Sequence, residues 1–154
     1  MIIYVDADAA PNTIKTILFK AAIRVGCELI FVANQSLQLF KHPLIKMHCV
    51  SAGFDVADNY IADIVQPNDL VITADIPLAD QVITKKAAAL NPRGYMYDED
   101  TIKQRLSVRN HMDSMRTSGV HTGGPKVMDK QDTMKFANAL DRYLQKHCRR
   151  APSV

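Results

Sequence analysis

Ile2-Ile3-Tyr4-Val5-Asp6-Ala7-Asp8 stands at the start of this chain of 154 residues, an apolar run leading directly into two aspartates. A short β-branched run of this kind reads as a buried strand. Leu70-Val71-Ile72 repeats the arrangement and runs into Thr73-Ala74-Asp75. In an open parallel sheet, ligands bind in the crevice beyond the carboxyl ends of the strands. Asp6, Asp8 and Asp75 converging there repel one another unless a cation or a proton lies between them. Hard oxygen ligands with room left for water and a phosphate suit Mg²⁺ or Mn²⁺. The pattern predicts an acidic, divalent-metal site for phosphodiesters.

Outward from these two strands, further β-branched runs fall at Leu29-Ile30-Phe31-Val32, at about 46–50 and at Ala87-Ala88-Ala89-Leu90. Helical spacing separates them. Ile14, Ile17, Leu18, Ala21, Ala22 and Val25 recur along one helical face, with Pro11 in the first turn and Gly26 at the stop. A second helix holds Tyr60, Ile61, Ile64 and Val65 ahead of Pro67, and a third begins near Pro77 and buries Leu78, Val82 and Ile83. Such alternation means βαβ units, hence an α/β fold of three layers with a mostly parallel sheet between helices. After Leu90 the strands are expected to stop. Asn91-Pro92-Arg93-Gly94 is a turn, Asp98 to Leu106 a short acidic-capped helix, and Asp129 to His147 the last helix.

The length suits one domain, and 47% hydrophobic residues suffice for a core. That domain is expected over 1–154, with a sheet core at 1–94, a helical part at 95–148 and a flexible tail at 149–154. No apolar run approaches the ~20 residues that span a bilayer, and the first residues read as a strand and not a signal peptide. Cys27, Cys49 and Cys148 are odd in number and widely spaced, which fits reduced thiols and a cytoplasmic protein. Residues 1–77 hold five Lys/Arg and eight Asp/Glu, a balance of −3, whereas residues 78–154 hold fourteen and eight, a balance of +6. A basic half beside an acidic site is what a nucleic-acid enzyme would use; exposed helices rich in Lys and Arg are the plain alternative.

Every strand delivers polar groups to the same edge: Asn34-Gln35-Ser36 after the second, Ser51 to Asp55 after the third, Thr73 after the fourth and Asn91 after the fifth. With a strand order of 3-2-1-4-5 the first and fourth strands are neighbours at the topological switch point. Capping explains only one aspartate of each group: Asp8 suits the first helix and Asp75 the helix at Pro77. Asp58 reads equally as a charge at the positive end of the second helix or as a fourth carboxylate of the cleft. Asp80 reads as solvated. The loop Thr122-Gly123-Gly124 offers free N–H groups of the kind that nest a phosphate, and Arg109 and Arg116 share one face as a phosphate clamp or a solvated surface. His48 reads as a core histidine, and His121 is the one histidine beside the phosphate-nest loop.

Val5-Asp6-Ala7-Asp8-Ala9, Asn34-Gln35-Ser36, Gly53 to Asp58, Ile72 to Ala79, Leu90 to Gly94 and Thr122 to Pro125 together resemble the bacterial YaiI/YqxD family of uncharacterised proteins. The resemblance covers residues 1 to about 147. That family is similar to PIN and NYN nuclease domains, which implies a PIN-like sheet of order 3-2-1-4-5 and a Mg²⁺ or Mn²⁺ carboxylate site. By that resemblance Asp6 matches the carboxylate ending the first strand, Asp58 the helix carboxylate before a small apolar run, and Asp75 the carboxylate of the Thr-x-Asp strand end. Ala10 stands where the family usually shows Cys, and Asp80 is the counterpart offered for the fourth PIN carboxylate. The implied activity is metal-assisted hydrolysis of RNA, with Asp6, Asp8, Asp58 and Asp75 on metal and Thr73 or Ser36 orienting water or phosphate. Three alternatives stand beside it. They are a degenerate cleft that binds nucleic acid without cutting, a phosphatase of the haloacid dehalogenase type, and an interaction scaffold whose carboxylates only cap helices. No membrane partner is expected, and self-association into a homo-oligomer is left open.

Overall fold

The computed structural model describes residues 1–7, 10–34, 41–50, 56–104 and 129–147. Five strands form one parallel sheet: β1 (Ile2–Asp6), β2 (Glu28–Ala33), β3 (Ile45–Cys49), β4 (Leu70–Ile72) and β5 (Ala88–Leu90), in the order β3-β2-β1-β4-β5. Helices α1 (Asn12–Val25), α2 (Val56–Ile64) and α3 (Ile76–Thr84) make the crossovers. Residues 99–104 are helical (α4), and α5 (Lys130–His147) is the last described element. The α/β architecture and strand order expected from the sequence are both present. No helix among the described residues is long and apolar enough to cross a membrane.

Side chains alternate across a strand, and each face of the sheet acquires its own core. Ile3, Val5, Leu29, Phe31, Leu70 and Ile72 face α1 and α5, joined there by Ile14, Leu18 and Phe136. Tyr4, Val32, Val71 and Ala89 face α2 and α3, with Ile61, Leu78 and Val82. On α5, Phe136, Leu140 and Leu144 recur one turn apart and are all fully buried. Burial of each contributes about 1.5–3 kcal/mol, which is why this helix packs on the sheet.

Helix ends are closed as their sequences dictate. Gly26 adopts φ +74° and terminates α1, donating its N–H to the Ala22 carbonyl. Asp98 Oδ1 accepts from the Thr101 N–H at 2.8 Å. Asp129 and Asp132 cap reciprocally, Asp132 N to Asp129 Oδ1 at 2.9 Å and Asp129 N to Asp132 Oδ2 at 3.2 Å.

Two expectations need correction and one is refined. The strands end at Leu90 as expected, but the chain turns back through Gly94, at φ +98°, and Met96 makes an isolated antiparallel bridge to Leu90 along the outer edge of β5. A left-handed turn residue reverses the backbone within four residues, so extended pairing resumes before the helical part begins. His48 is exposed, because β3 is an edge strand, and its ring stacks on Tyr60 with centroids 4.2 Å apart. Cys27 is disulfide-bonded, while Cys49 is free. Cysteines far apart in sequence pair on the distance between their Cα atoms, which leaves no trace in local spacing.

Candidate functional site

The rung Val5–Ile72–Leu90 is the last at which β4 pairs with both β1 and β5. One residue further, Asp6, Thr73 and Asn91 stand side by side, on the face of α2 and α3 because they share parity with Tyr4, Val71 and Ala89. All three are buried, Asp6 at 9% exposure, Thr73 at 0% and Asn91 at 5%. An apolar row therefore passes directly into a polar one at the carboxyl end of the sheet. The Thr73 N–H still donates to the Leu90 carbonyl at 3.1 Å, which holds the fourth strand in register to that point.

Thr73 connects the row. Its hydroxyl lies 3.4 Å from Asp6 Oδ2, and its Oγ1 accepts the Asp75 N–H at 3.0 Å. Asp75 caps α3, its Oδ1 accepting from the Leu78 N–H at 2.9 Å; such a cap is worth about 0.5–2 kcal/mol. The capping role of Asp75 expected from the sequence is thus present, in a residue next to the cleft.

Asn91 anchors the other end. Its Nδ2 donates to the Tyr95 hydroxyl at 2.8 Å and to the Tyr97 hydroxyl at 2.9 Å, while its Oδ1 accepts from the Arg93 N–H at 2.8 Å. The Tyr97 hydroxyl in turn donates to the Thr73 carbonyl at 3.4 Å. The two phenol rings meet edge to face at 5.3 Å. A continuous hydrogen-bonded path thus runs from the turn after β5 to the carboxylate at the end of β1. Sequence reasoning placed Asn91 at this edge but missed both tyrosines. Their alternate spacing, Tyr95-x-Tyr97 in an extended segment, sets both on one side and was the available signal.

Other predicted residues fall elsewhere. Asp58 is half-buried in the first turn of α2, where the helix dipole favours a carboxylate. Asn34 is exposed just past β2, and Asp80 is half-buried on α3. Asp8, Gln35, Ser36, Arg109, Arg116, Thr122, Gly123 and Gly124 lie outside the described residues, as does His121.

The donor set can be tested against the implied metal. Among the described residues no group of three or more His, Cys, Asp or Glu side chains is placed to hold an ion. Asp6, Asp58 and Asp75 therefore do not form an all-protein cage. Mg²⁺ is commonly held by one or two carboxylates while it keeps several waters, and buried Asp6 with a hydroxyl neighbour fits that hydrated form. The oxygen chemistry suits a hard cation, and the number of ligands suits a loosely held one.

The sequence comparisons bear on the same residues. The family described as "Uncharacterized BCR, YaiI/YqxD family" matches residues 4–146. A UPF0178 protein of Marinomonas sp. (strain MWYL1) is 58% identical over 144 residues, covering 94% of this chain and 97% of its own length. One from Hahella chejuensis (strain KCTC 2396) is 57% identical over 146 residues, covering 95% and 97%. Another, from Photobacterium profundum, is 54% identical over 147 residues, covering 96% and 98%. No solved structure matches. The match extends from the second residue before Asp6 to the last turn of α5, and the chain belongs to the YaiI/YqxD family.

Proposed function

We propose that this protein is a metal-dependent nuclease that hydrolyses phosphodiester bonds in RNA at the carboxyl end of its sheet. The observation that carries the reading is the buried row Asp6–Thr73–Asn91 at the switch point between β1 and β4, where an α/β sheet binds ligands. Asp6 would hold the cation, with Asp8, Asp58 and Asp75 as the further carboxylates around it. When bound, Mg²⁺ or Mn²⁺ supplies positive charge to the phosphate oxygens and makes water more acidic.

The chain's own groups have separate tasks. Asp6 presents a carboxylate whose direction the Thr73 hydroxyl constrains. The Asn91–Tyr97 path fixes Thr73 through its carbonyl, so the hydroxyl does not depend on one weak contact. Asn34, exposed beside the crevice, is free to meet the sugar or phosphate.

The small number of carboxylates grouped among the described residues favours one other reading, a cleft that binds nucleic acid without cutting it. The phosphatase alternative has less support, since β5 ends on Asn91-Pro92 with no acidic pair. Purified protein with Mn²⁺ should cleave a single-stranded oligoribonucleotide, and Asp6→Asn should reduce the rate at least a hundredfold with the fold intact. RNA binding without cleavage across several divalent ions would replace the nuclease with the binding module.

A further inference from the structure

A second feature lies away from the carboxylates. Between α5 and the arm at 94–96 is an open groove of about 480 Å³, lined by Gly94, Met96, Arg142, Tyr143, Lys146 and His147 among others. That volume is within the range of ~300–1,000 Å³ usual for ligand sites. Among the described residues no acidic side chain lines it. A second hollow, about 360 Å³ between α3 and α4, is bordered by Asp80, Glu99 and Asp100 against Lys86 and Lys103. The two differ in charge as well as in position.

The cations are available. Among the described residues neither Arg142 nor Lys146 has an ion-pair partner, whereas Asp141 beside them is bonded to Arg24 on α1. They lie one turn apart, about 6 Å along the helix axis. The negative end of a helix favours Lys146 and His147 in the last turn without any ligand. It does not account for Arg142, nor for the hollow beneath all three. Tyr143 and His147 stack with centroids 4.2 Å apart, and the Tyr143 hydroxyl donates to the Asn68 carbonyl at 2.9 Å. A cationic groove with a fixed aromatic wall is the arrangement that holds single-stranded nucleic acid.

The groove also has a direction. A Cβ on Gly94 would lie 2.5 Å from the Lys135 and Phe136 backbone, so the arm and α5 touch at that end. Gly94 in turn donates to the Asn91 carbonyl at 2.8 Å. Chain held along α5 is thereby led to Asn91, the outer member of the polar row.

We propose that the groove between α5 and the 94–96 arm binds the phosphodiester backbone of single-stranded nucleic acid, with Arg142 and Lys146 on neighbouring phosphates and the Tyr143–His147 stack beside a base. The assignment deepens the nuclease reading and rests on it for the kind of anion.

Binding of a fluorescein-labelled oligouridylate to the full chain, followed by anisotropy in EDTA across a salt series, separates the two. EDTA prevents cleavage, so only the groove is read. Arg142→Glu with Lys146→Glu should weaken binding at least tenfold and reduce the salt slope by about 1.4, at ~0.7 per phosphate on a single strand. Arg142→Gln with Lys146→Gln, milder for the fold, should move both in the same direction. Lys86→Glu with Lys103→Glu, at the acidic hollow, should change affinity less than twofold. Equal losses in both Glu pairs would reduce the effect to net charge and overturn the site. AMP that displaces the oligonucleotide at equal concentration would make it a mononucleotide pocket and overturn the polymer. Binding without cleavage in Mn²⁺ would end the nuclease reading and leave the groove standing.

Discussion

Two buried aspartates lie at opposite ends of the same sheet, and they are held in different ways. Asp69, at the amino end of β4, is 5% exposed and accepts two backbone N–H groups, from Ile2 at 2.9 Å and from Gln66 at 3.0 Å. It ties the first residue of β1 to the turn after α2. Asp6, at the carboxyl end of β1, counts among its contacts a side-chain hydroxyl at 3.4 Å, that of Thr73. Backbone donors are fixed by the fold itself, whereas a hydroxyl can turn to serve another partner. The two backbone bonds close Asp69 into the structure, and the Thr73 contact is one that a rotation can exchange. Burial alone would have ranked the two together.

The sharpest way to break this contrast is by stability. Asp69→Ala strips two backbone donors of their acceptor. At about 1–3 kcal/mol for each buried N–H, reduced here by partial exposure, the loss should be about 2–4 kcal/mol. It should appear as a lower urea midpoint at unchanged slope. Asp6→Asn should stay within about 1 kcal/mol of wild type, since its amide keeps the shape and sheds a charge. If both variants lose equally, Asp6 is structural and the contrast fails.

A smaller effect is expected at the residue between the two carboxylates of the crevice. Thr73→Val keeps the volume but removes the hydroxyl that serves Asp6 and the Asp75 N–H. A loss of about 1 kcal/mol is expected for the hydrogen bonds. Mn²⁺ should raise the melting temperature of wild type, as any ligand of the native state does. Thr73→Val should keep part of that rise and Asp6→Asn none. An unchanged Mn²⁺ shift in Asp6→Asn would remove Asp6 from the metal.

Much of this was legible in the sequence because each strand is a short run bounded by turn residues and several helices begin on a visible aspartate cap. Asp75, Asp98 and Asp129 all close helices where an aspartate precedes an apolar periodic segment. Asp69 was missed because its role depends on a partner 67 residues away, and nothing near it in the chain announces Ile2. His48 was misread because its apolar neighbours suggest a core, and only strand order places it on an edge. The candidate site was legible as separate strand ends. What joins them, the two tyrosines reaching back from beyond Asn91, needs the reversal at Gly94.

The smallest effect tests the amino end of the sheet in alkali. Burial first, and the Asp69 carboxylate second, push the Tyr143 phenol up to about 12 from an ordinary 10.0. The native state therefore holds this proton more tightly than the unfolded chain does. Its contribution is complete below pH 10, declines as pH rises toward about 12, and is then lost. Tyr143→Phe has no such proton and should show a shallower decline in that window, followed by chemical denaturation at several pH values. Tyr4, also raised by burial, should leave a residual slope in the variant. Parallel curves for the two proteins would remove Tyr143 from the alkaline transition.

The return of the chain along β5 also governs how the sheet can grow. The Asn91 N–H meets the Tyr95 carbonyl and the Tyr97 N–H meets the Ala89 carbonyl, so that border is already occupied. Among the described residues no strand pairs with the far side of β3. A sheet with two open borders can add copies without end, and one with a single open border cannot. Two copies joined β3 to β3 about a two-fold axis would exhaust the edge left open among the described residues, so strand addition there would stop at a pair and not continue into a fibre.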